Sequence, residues 1–361
     1  MTDSQNSFSA PQDQRHAASG QEWLDQFKHH LNGSAQACAF KSANKICGQY
    51  RSLQLRRFGR ARKGADLPTL IVPPLAVHDS GFLDLSTGHS LIGALLQSGL
   101  DHVHLADWRQ MTADSREQSI DTCLADLSIA IDDLGGRVNL LGLSFGGLFA
   151  LLIAARFPNK VDKLLLAGTP VDMHAGLSTM THHANKLAKT PQKLPVDMAA
   201  AETWLAPLTI AQGTEVHGLE SMQRDPGSFS RADLDALALY GRWAQRKGDL
   251  SGTYIRELLL RICAGNEIAK GTFMALGQRI DLKNIRAPIF VIAGAQDEIA
   301  PRRQALRVLD LVGTPQARRR KLVVQAGHFT LFMGRNMLKR EWRMAAGWLQ
   351  SHAPHARPRK A

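Results

Sequence analysis

A serine between two glycines is the residue of this chain whose surroundings most strongly indicate chemistry. Gly142-Leu143-Ser144-Phe145-Gly146 fits the pattern G-x-S-x-G, and it lies between an apolar run typical of a strand and one typical of a helix. A tight strand-to-helix turn of this kind exposes a serine hydroxyl at the edge of a sheet. The pattern therefore predicts that Ser144 is a nucleophile. The alternative is a serine whose hydroxyl only caps the following helix.

Two further residues could activate that serine. A serine nucleophile needs a base, and the base needs a carboxylate to orient it. Asp297 in "VIAGAQDEIAP" and His328 in "KLVVQAGHFTLF" each follow a predicted strand, in the chain order acid and then histidine. We predict that Ser144, His328 and Asp297 form a catalytic triad, and Asp172, which follows another strand, is the alternative acid.

The negative charge that develops during acyl transfer needs backbone N–H donors. One donor is predicted to be Phe145, directly after the serine. The other should come from the loop after the first core strand, "PPLAVH". Leu75 is the first choice for it and Ala76 the second, because Pro74 has no N–H to donate.

The elements that position these residues are short apolar runs that alternate with helical patterns. Strands are predicted at residues 69–74, 102–108, 137–143, 163–169, 288–294 and 321–327. Helices are predicted at residues 90–99, at 119–135, directly after Ser144, and at 302–313. Such alternation predicts an α/β fold, with a mainly parallel sheet and helices on both faces.

The strand pattern is interrupted between Thr169 and Pro288, where helical patterns rich in Met, His, Leu and Ala replace it. We expect this part to be a helical cap over the carboxyl edge of the sheet, where sites in open α/β folds lie. A helical pattern also runs from Gln21 to about Lys45. The predicted divisions are an unstructured tail (1–20), an N-terminal helical and strand extension (21–66), the first core part (67–172), the cap (173–284), the second core part (285–352) and a basic tail (353–361).

Composition limits the class of protein. The chain has 361 residues, 44% of them hydrophobic, which is enough for a large core. Its four cysteines have neither metal-site nor disulfide-framework spacing, and there is no export signal and no apolar run long enough to span a bilayer, so a cytoplasmic protein is predicted. The motifs of metal, nucleotide and dinucleotide sites are missing, so no metal and no cofactor are expected.

The net charge of +12 favours anionic partners. Nucleic acid and a phosphate-bearing substrate such as an acyl-coenzyme A are two such partners, and a solvated basic surface is the simpler explanation. Because no nucleic-acid-binding motif accompanies the charge, we predict no nucleic-acid binding.

Several separate segments in order resemble the polyhydroxyalkanoate synthases, particularly the short catalytic subunits of the two-component type. They include "LIVPPLAVHDSGFLDL", "VNLLGLSFGG", "IDLKNIRAPIFVIAGAQDEIAP" and "AGHFTLFMG", and the resemblance covers nearly all of the chain after about residue 45. It implies an α/β-hydrolase fold. It also places Ser144, Asp297 and His328 at the family's nucleophile, acid and base.

The resemblance implies roles for three more residues. Trp243 matches a tryptophan of the family's cap and, with Ala76, is expected to bind substrate. Asp84 matches a residue expected to be structural. A homodimer, a partner synthase-like subunit and association with polymer granules are the assemblies to consider for such a protein.

The chain departs from the family at the nucleophile. The synthases use a cysteine in a G-x-C-x-G sequence, and this chain has Ser144. A thioester on cysteine stays activated for transfer to the next hydroxyl, whereas transfer from an oxyester on serine gains almost no free energy. Hydrolysis by water should therefore be faster than polymerisation in this chain. Intracellular depolymerases of the same polyesters also resemble this fold, and they use a serine.

The function expected from the sequence is therefore a serine hydrolase acting on esters or thioesters of 3-hydroxyacyl groups, the polymer included. The alternatives are a polyhydroxyalkanoate synthase that polymerises 3-hydroxyacyl-coenzyme A with a serine, and a non-catalytic polymer-granule or partner subunit.

Overall fold

The core of the protein is one eight-stranded sheet. The computed structural model describes residues 40–59, 67–76, 79–109, 117–176, 178–189, 239, 243 and 250–351. The strands of the sheet are β1 (Asn44–Gln49), β2 (Leu53–Phe58), β3 (Thr69–Val72), β4 (Val103–Trp108), β5 (Val138–Leu143), β6 (Val161–Ala167), β7 (Ile289–Gly294) and β8 (Arg319–Val324). Their order is β1-β2-β4-β3-β5-β6-β7-β8. Strand β2 pairs antiparallel with both of its neighbours, β1 and β4, and the strands from β3 to β8 pair in parallel.

Burial explains why the central strands of the sheet could be predicted. Every residue of β3, β5 and β7 is buried, because helices cover both faces of a parallel sheet. Such strands appear in the sequence as continuous apolar runs. The six predicted strands are confirmed, although the fourth is observed two residues earlier, at Val161–Ala167, and the last begins two residues earlier and ends three residues earlier, at Arg319–Val324.

Two helical layers cover the sheet. The helices are α1 (Leu91–Gln97), α2 (Ile120–Asp133), α3 (Gly146–Arg156), α4 (Thr179–Ala188), α5 (Gly252–Arg256), α6 (Glu267–Lys270), α7 (Arg302–Leu306), α8 (Val308–Leu311), α9 (Thr330–Met333) and α10 (Trp342–Gln350). A π-helical turn, Glu257–Ala264, continues α5, and another, Met337–Glu341, precedes α10. Helices α2 and α3 pack in one apolar layer, and α1, α9 and α10 pack in the other.

The helix predicted from Gln21 to about Lys45 is wrong at its C-terminal end. The structure places Asn44 and Lys45 in strand β1 rather than in a helix, and residues 21–39 lie outside the described residues. Strand β1 pairs with β2, and the chain reverses between Gln49 and Leu53. Its exposed, mostly polar residues hide the strand pattern, because an edge strand buries little.

The predicted helix at 302–313 is two short helices, α7 and α8, with Arg307 between them. Between Thr169 and Pro288, where no strands were predicted, the structure contains a two-stranded hairpin of two residues a strand, Met274–Ala275 with Gln278–Arg279. A second hairpin, Asp84–Ser86 with His89–Ser90, lies before α1. Neither hairpin joins the central sheet.

The part of the predicted cap that the structure describes is helical. It contains α4, α5 with its π-helical continuation, and α6, while residues 190–238 lie outside the described residues. Residues 239 and 243 are both helical. Among the described residues, no helix is both long and apolar enough to cross a membrane.

Candidate active site

Ser144 lies at a strained turn between β5 and α3. Its φ is 51°, a left-handed conformation that is uncommon for a residue other than glycine. The turn is possible because its glycine neighbours leave no room for side chains: a Cβ at Gly142 would overlap Gly147, and a Cβ at Gly146 would overlap the carbonyl of Pro73. The Ser144 N–H donates to the Ala167 carbonyl at 2.8 Å, which fixes the turn to β6.

The structure brings the predicted nucleophile, base and acid together. Ser144 Oγ lies 2.8 Å from His328 Nε2, and His328 Nδ1 lies 2.8 Å from Asp297 Oδ2. All three residues are buried. The serine hydroxyl therefore bonds to the imidazole, and α3 has no side-chain cap, so the helix-capping alternative for Ser144 is wrong.

The carboxylate of Asp297 is held in place by its own loop. Its Oδ1 accepts from the backbone N–H groups of Ile299 and Ala300, at 3.0 and 2.7 Å, which leaves Oδ2 for the histidine. The alternative acid, Asp172, is committed elsewhere, because its Oδ1 accepts from the Asn266 side chain at 2.7 Å. The geometry therefore favours Asp297 as the partner of the histidine.

The predicted N–H donors lie beside the serine turn. Phe145 follows Ser144, and the first residue of α3, Gly146, packs against the Pro73 carbonyl of the loop that contains Leu75. Among the described residues, neither the Phe145 nor the Leu75 N–H donates to a backbone carbonyl. Because an oxyanion requires such donors, the N–H of Phe145 and an N–H of this loop stay the predicted oxyanion donors.

Aromatic rings surround the far side of the imidazole. The rings of Phe329 and Phe332 lie 5.6 and 5.3 Å from that of His328, both nearly perpendicular to it. Trp243, from the cap, packs on Phe82 at 5.1 Å and on Phe329 at 6.5 Å. Its indole N–H donates to the Asp79 carbonyl at 2.8 Å. Trp243, in the predicted cap, is thus packed among the aromatic rings next to His328, and its role toward substrate stays a prediction, as does that of Ala76.

Asp84 has the structural role expected of it. Its carboxylate accepts from the Ser42 N–H at 2.6 Å and from the hydroxyls of Ser42 and Ser90. It is buried. The residue joins the segment before β1 to the hairpin before α1.

The described cysteines are not activated nucleophiles. Burial raises the pKa of the Cys123 and Cys263 thiols to about 12, so both are neutral thiols near pH 7. Burial also raises the pKa of Cys47. Cys38 lies outside the described residues. Among the described residues of the site, the Ser144 hydroxyl therefore stays the predicted nucleophile.

This fold and this turn define a class of protein. The chain belongs to the alpha/beta hydrolase fold family, whose model matches residues 83–334. Solved structures with the same fold include the enol-lactonase of Burkholderia xenovorans, with a TM-score of 0.54, 16% identity, and coverage of 86% of this chain and all of that one. A monoacylglycerol lipase of Paleococcus ferrophilus has a TM-score of 0.53 and 18% identity over 83% of this chain and 99% of its own. At these identities the likeness concerns the fold alone.

Similar sequences narrow the relationship. The poly(3-hydroxyalkanoate) polymerase subunit PhaC of Allochromatium vinosum is 27% identical over 326 residues, which are 82% of this chain and 85% of that protein. The protein of the same name from Haloferax mediterranei is 25% identical over 293 residues, 75% of this chain and 57% of that protein. The resemblance to polyhydroxyalkanoate synthases is confirmed. The fold and these relatives identify an enzyme of the hydrolase or acyltransferase type.

Residues near the site that the sequence did not single out are mostly aromatic. Phe329 and Phe332 lie one and four residues after His328 and could have been found from "HFTLF". Tyr254 was not predictable, because its hydroxyl donates to the Leu75 carbonyl at 3.1 Å across a separation of 179 residues. No local pattern indicates such a contact.

Proposed function

We propose that this enzyme hydrolyses esters or thioesters of 3-hydroxyacyl groups through an acyl-serine intermediate on Ser144. The observation that carries the proposal is the continuous hydrogen-bonded series from Ser144 through His328 to Asp297, with 2.8 Å at each step. The substrate class comes from the polymerase relatives, and 3-hydroxyacyl-coenzyme A and the polyester itself are its members.

The proposed acylation step uses the three residues in turn. His328 Nε2 takes the hydroxyl proton as Ser144 Oγ attacks the acyl carbonyl, and Asp297 stabilises the imidazolium that forms. The carbonyl oxygen becomes an oxyanion, which accepts from the Phe145 N–H and from the loop after β3. When the intermediate collapses, the C–S or C–O bond breaks, and His328 returns the proton to the leaving thiolate or alkoxide.

Deacylation uses the same groups in reverse. His328 takes a proton from water, whose oxygen attacks the acyl-Ser144 carbonyl. The ester bond to Ser144 breaks, and the serine oxygen recovers its proton from the imidazolium. The products are a free 3-hydroxy acid and the original enzyme.

The type of nucleophile favours water over chain growth. An acyl group on Ser144 is an oxyester, so its transfer to another hydroxyl is nearly neutral in free energy. The synthase family that the sequence resembles keeps the acyl group as a more reactive thioester on cysteine. Hydrolysis of either the oxyester or the thioester releases free energy. Hydrolysis is therefore the favourable reaction for an acyl group on serine.

An active-site label tests whether Ser144 is the nucleophile. A fluorophosphonate probe and a burst of p-nitrophenol from p-nitrophenyl butyrate are both expected for the wild-type chain and absent from Ser144→Ala. Ser98→Ala, whose hydroxyl donates to the Ala94 carbonyl at the end of α1, is the matched control and should behave as wild type. A folded wild-type chain without label would favour the non-catalytic subunit instead.

A synthase with a serine nucleophile is the second candidate, and two observations favour it. The similar proteins are named polymerases, and Ser144 is only 4% exposed, which restricts water at the acyl group. Incubation with 3-hydroxybutyryl-coenzyme A separates the candidates, because free acid indicates hydrolysis and polymer indicates synthesis. In the proposed function Ser144→Cys shifts the product from acid toward polymer, since it restores a thioester.

The assembly and location stay predictions. A cytoplasmic protein, free or on polymer granules, and a homodimer or a complex with a synthase-like subunit are the arrangements proposed from the resemblance. Granule fractionation and the mass of the purified protein in solution test them.

A further inference from the structure

Three aromatic rings in mutual contact, here called the stack although one of the two pairs is tilted, lie against the loop that follows β3. Trp108, at the end of β4, packs on Phe149 of α3 with ring centroids 5.1 Å apart, and Phe149 stacks on Tyr254 of α5 at 6.2 Å. All three rings are buried. The stack therefore runs from the central sheet to helix α5 of the predicted cap.

The two polar ends of this stack bond to the same loop. The Trp108 indole N–H donates to the Pro73 carbonyl at 2.8 Å, and the Tyr254 hydroxyl donates to the Leu75 carbonyl at 3.1 Å. The start of α3 closes the third side, because Gly146 touches the Pro73 carbonyl so closely that no Cβ fits. The loop from Pro73 to Leu75 is thus held by two side chains, those of Trp108 and Tyr254, and by the close approach of the α3 backbone at Gly146.

The bond from Tyr254 orients one particular N–H group. In a trans peptide the C=O and N–H point in opposite directions, and the structure has no cis peptide among its described residues. Because the Leu75 carbonyl points to Tyr254, the N–H of Ala76 points away from that ring. Among the described residues, this N–H donates to no backbone carbonyl.

The position of Tyr254 is itself fixed by the core. The π-helical turn after α5 contains Glu257, which accepts from the backbone N–H of Ile120 at the start of α2, at 2.7 Å. Further along, the Leu276 N–H donates to Asp121 at 2.9 Å. Burial raises the pKa of Tyr254 well above its ordinary range, so the hydroxyl keeps its proton and remains a donor.

We propose that Tyr254 is a positioning residue for catalysis: its hydroxyl sets the orientation of the Leu75–Ala76 peptide and so aims the second oxyanion donor at the acyl carbonyl. This inference rests on the proposed acyl-transfer function. It assigns the orientation of that donor to a residue of the predicted cap, and it favours the Ala76 N–H over that of Leu75 as the group that is aimed.

The test compares two Tyr→Phe variants that each lose one hydrogen bond. Tyr254→Phe keeps the ring in the stack, and Tyr50→Phe is the matched control, because the Tyr50 hydroxyl donates to Asp133 at 2.6 Å in a more exposed position. For Tyr254→Phe we expect kcat for p-nitrophenyl butyrate to fall about tenfold, since a misaimed donor loses part of its contribution. KM should change less than about twofold.

Two further readouts distinguish positioning from a loss of stability. The affinity for 1-butaneboronic acid, which forms a tetrahedral adduct with a serine, should fall by about the same factor as kcat, because the adduct uses the same donors. Hydrogen exchange of the segment 67–76 should be faster in Tyr254→Phe than in Tyr50→Phe at equal distance from each variant's melting temperature.

The outcomes separate the two proposals. Wild-type kcat and boronate affinity in Tyr254→Phe, with only a lower melting temperature, would overturn the positioning role. A wild-type chain that neither turns over the ester nor reacts with the probe would overturn the proposed function, and the exchange comparison would still decide whether Tyr254 holds the loop.

Discussion

The two ends of the central sheet both bury polar side chains, but these side chains bond in different ways. At the carboxyl end, Ser144, His328 and Asp297 bond to one another in series. At the amino end, Lys163 and Asn139 bond to backbone carbonyls at the end of α10, with Lys163 Nζ 2.7 Å from the Leu349 carbonyl. The first arrangement is made of side chains alone, and the second ties side chains to a helix end.

This difference indicates which end performs chemistry. A cation at the last carbonyls of a helix satisfies groups that the helix cannot pair, so Lys163 has a structural reason for its burial. Ser144 has no such reason, because it holds a strained φ and its hydroxyl bonds only within a series that can move a proton. We expect substitutions at the carboxyl end to remove activity and those at the amino end to remove stability.

The largest effect is expected for Ser144→Ala. Without the nucleophile, kcat/KM for p-nitrophenyl butyrate should fall by about 10⁴-fold or more, as removal of a triad member does elsewhere. The free energy of unfolding should change by less than about 1 kcal/mol, because only one hydroxyl is lost. Steady-state kinetics and urea unfolding of the same preparations measure both. A large loss of stability would contradict the assignment of activity to the carboxyl end of the sheet and of stability to the amino end.

The opposite pattern is expected for Lys163→Met. The Leu349 and Ser351 carbonyls lose their charged donor, so the free energy of unfolding should fall by about 2 kcal/mol. Turnover per folded molecule should be unchanged. Lys339→Met, at an exposed lysine, is the control and should alter stability by less than about 0.5 kcal/mol. A change in kcat for Lys163→Met alone would show that the amino end is not merely structural.

A smaller effect concerns a buried histidine of β4. Burial, followed by the charges of His102 and Arg57, lowers the pKa of His104 from 6.5 to about 4. Between these two values the unfolded chain binds a proton that the folded protein does not, so stability decreases as the pH falls from about 6.5 toward 4.

In His104→Leu the free energy of unfolding should depend less steeply on pH, by up to about 1.4 kcal/mol per pH unit, because this is the contribution of one proton. Urea unfolding at pH 7 and pH 5 measures it. His182→Leu, at an exposed histidine of α4, should keep the wild-type slope. Equal slopes for His104→Leu and wild type would mean that His104 is protonated in the folded protein.

The sequence could predict the residues of the candidate triad because each follows a strand of the parallel sheet. Strands β5 and β7 are buried throughout and appear as apolar runs, and β8, which is partly exposed, still ends in the apolar residues Leu322–Val324. The carboxyl ends of parallel strands lie at one edge of the sheet, which is where Ser144, Asp297 and His328 should meet. Strand β1 was not predicted, since its residues are largely exposed and polar. The contact of Tyr254 with Leu75 joins residues 179 positions apart, and only the folded chain brings them together.

The central claim is that an acyl group resides on Ser144 during turnover. Wild-type protein is incubated with 3-hydroxybutyryl-coenzyme A, quenched with acid during the first turnovers and digested, and its peptides are analysed by mass spectrometry. We expect a 3-hydroxybutyryl ester on Ser144, absent from Ser144→Ala, together with release of free acid. Release of coenzyme A at the same rate by Ser144→Ala, with no acyl group on the wild-type serine, would contradict it.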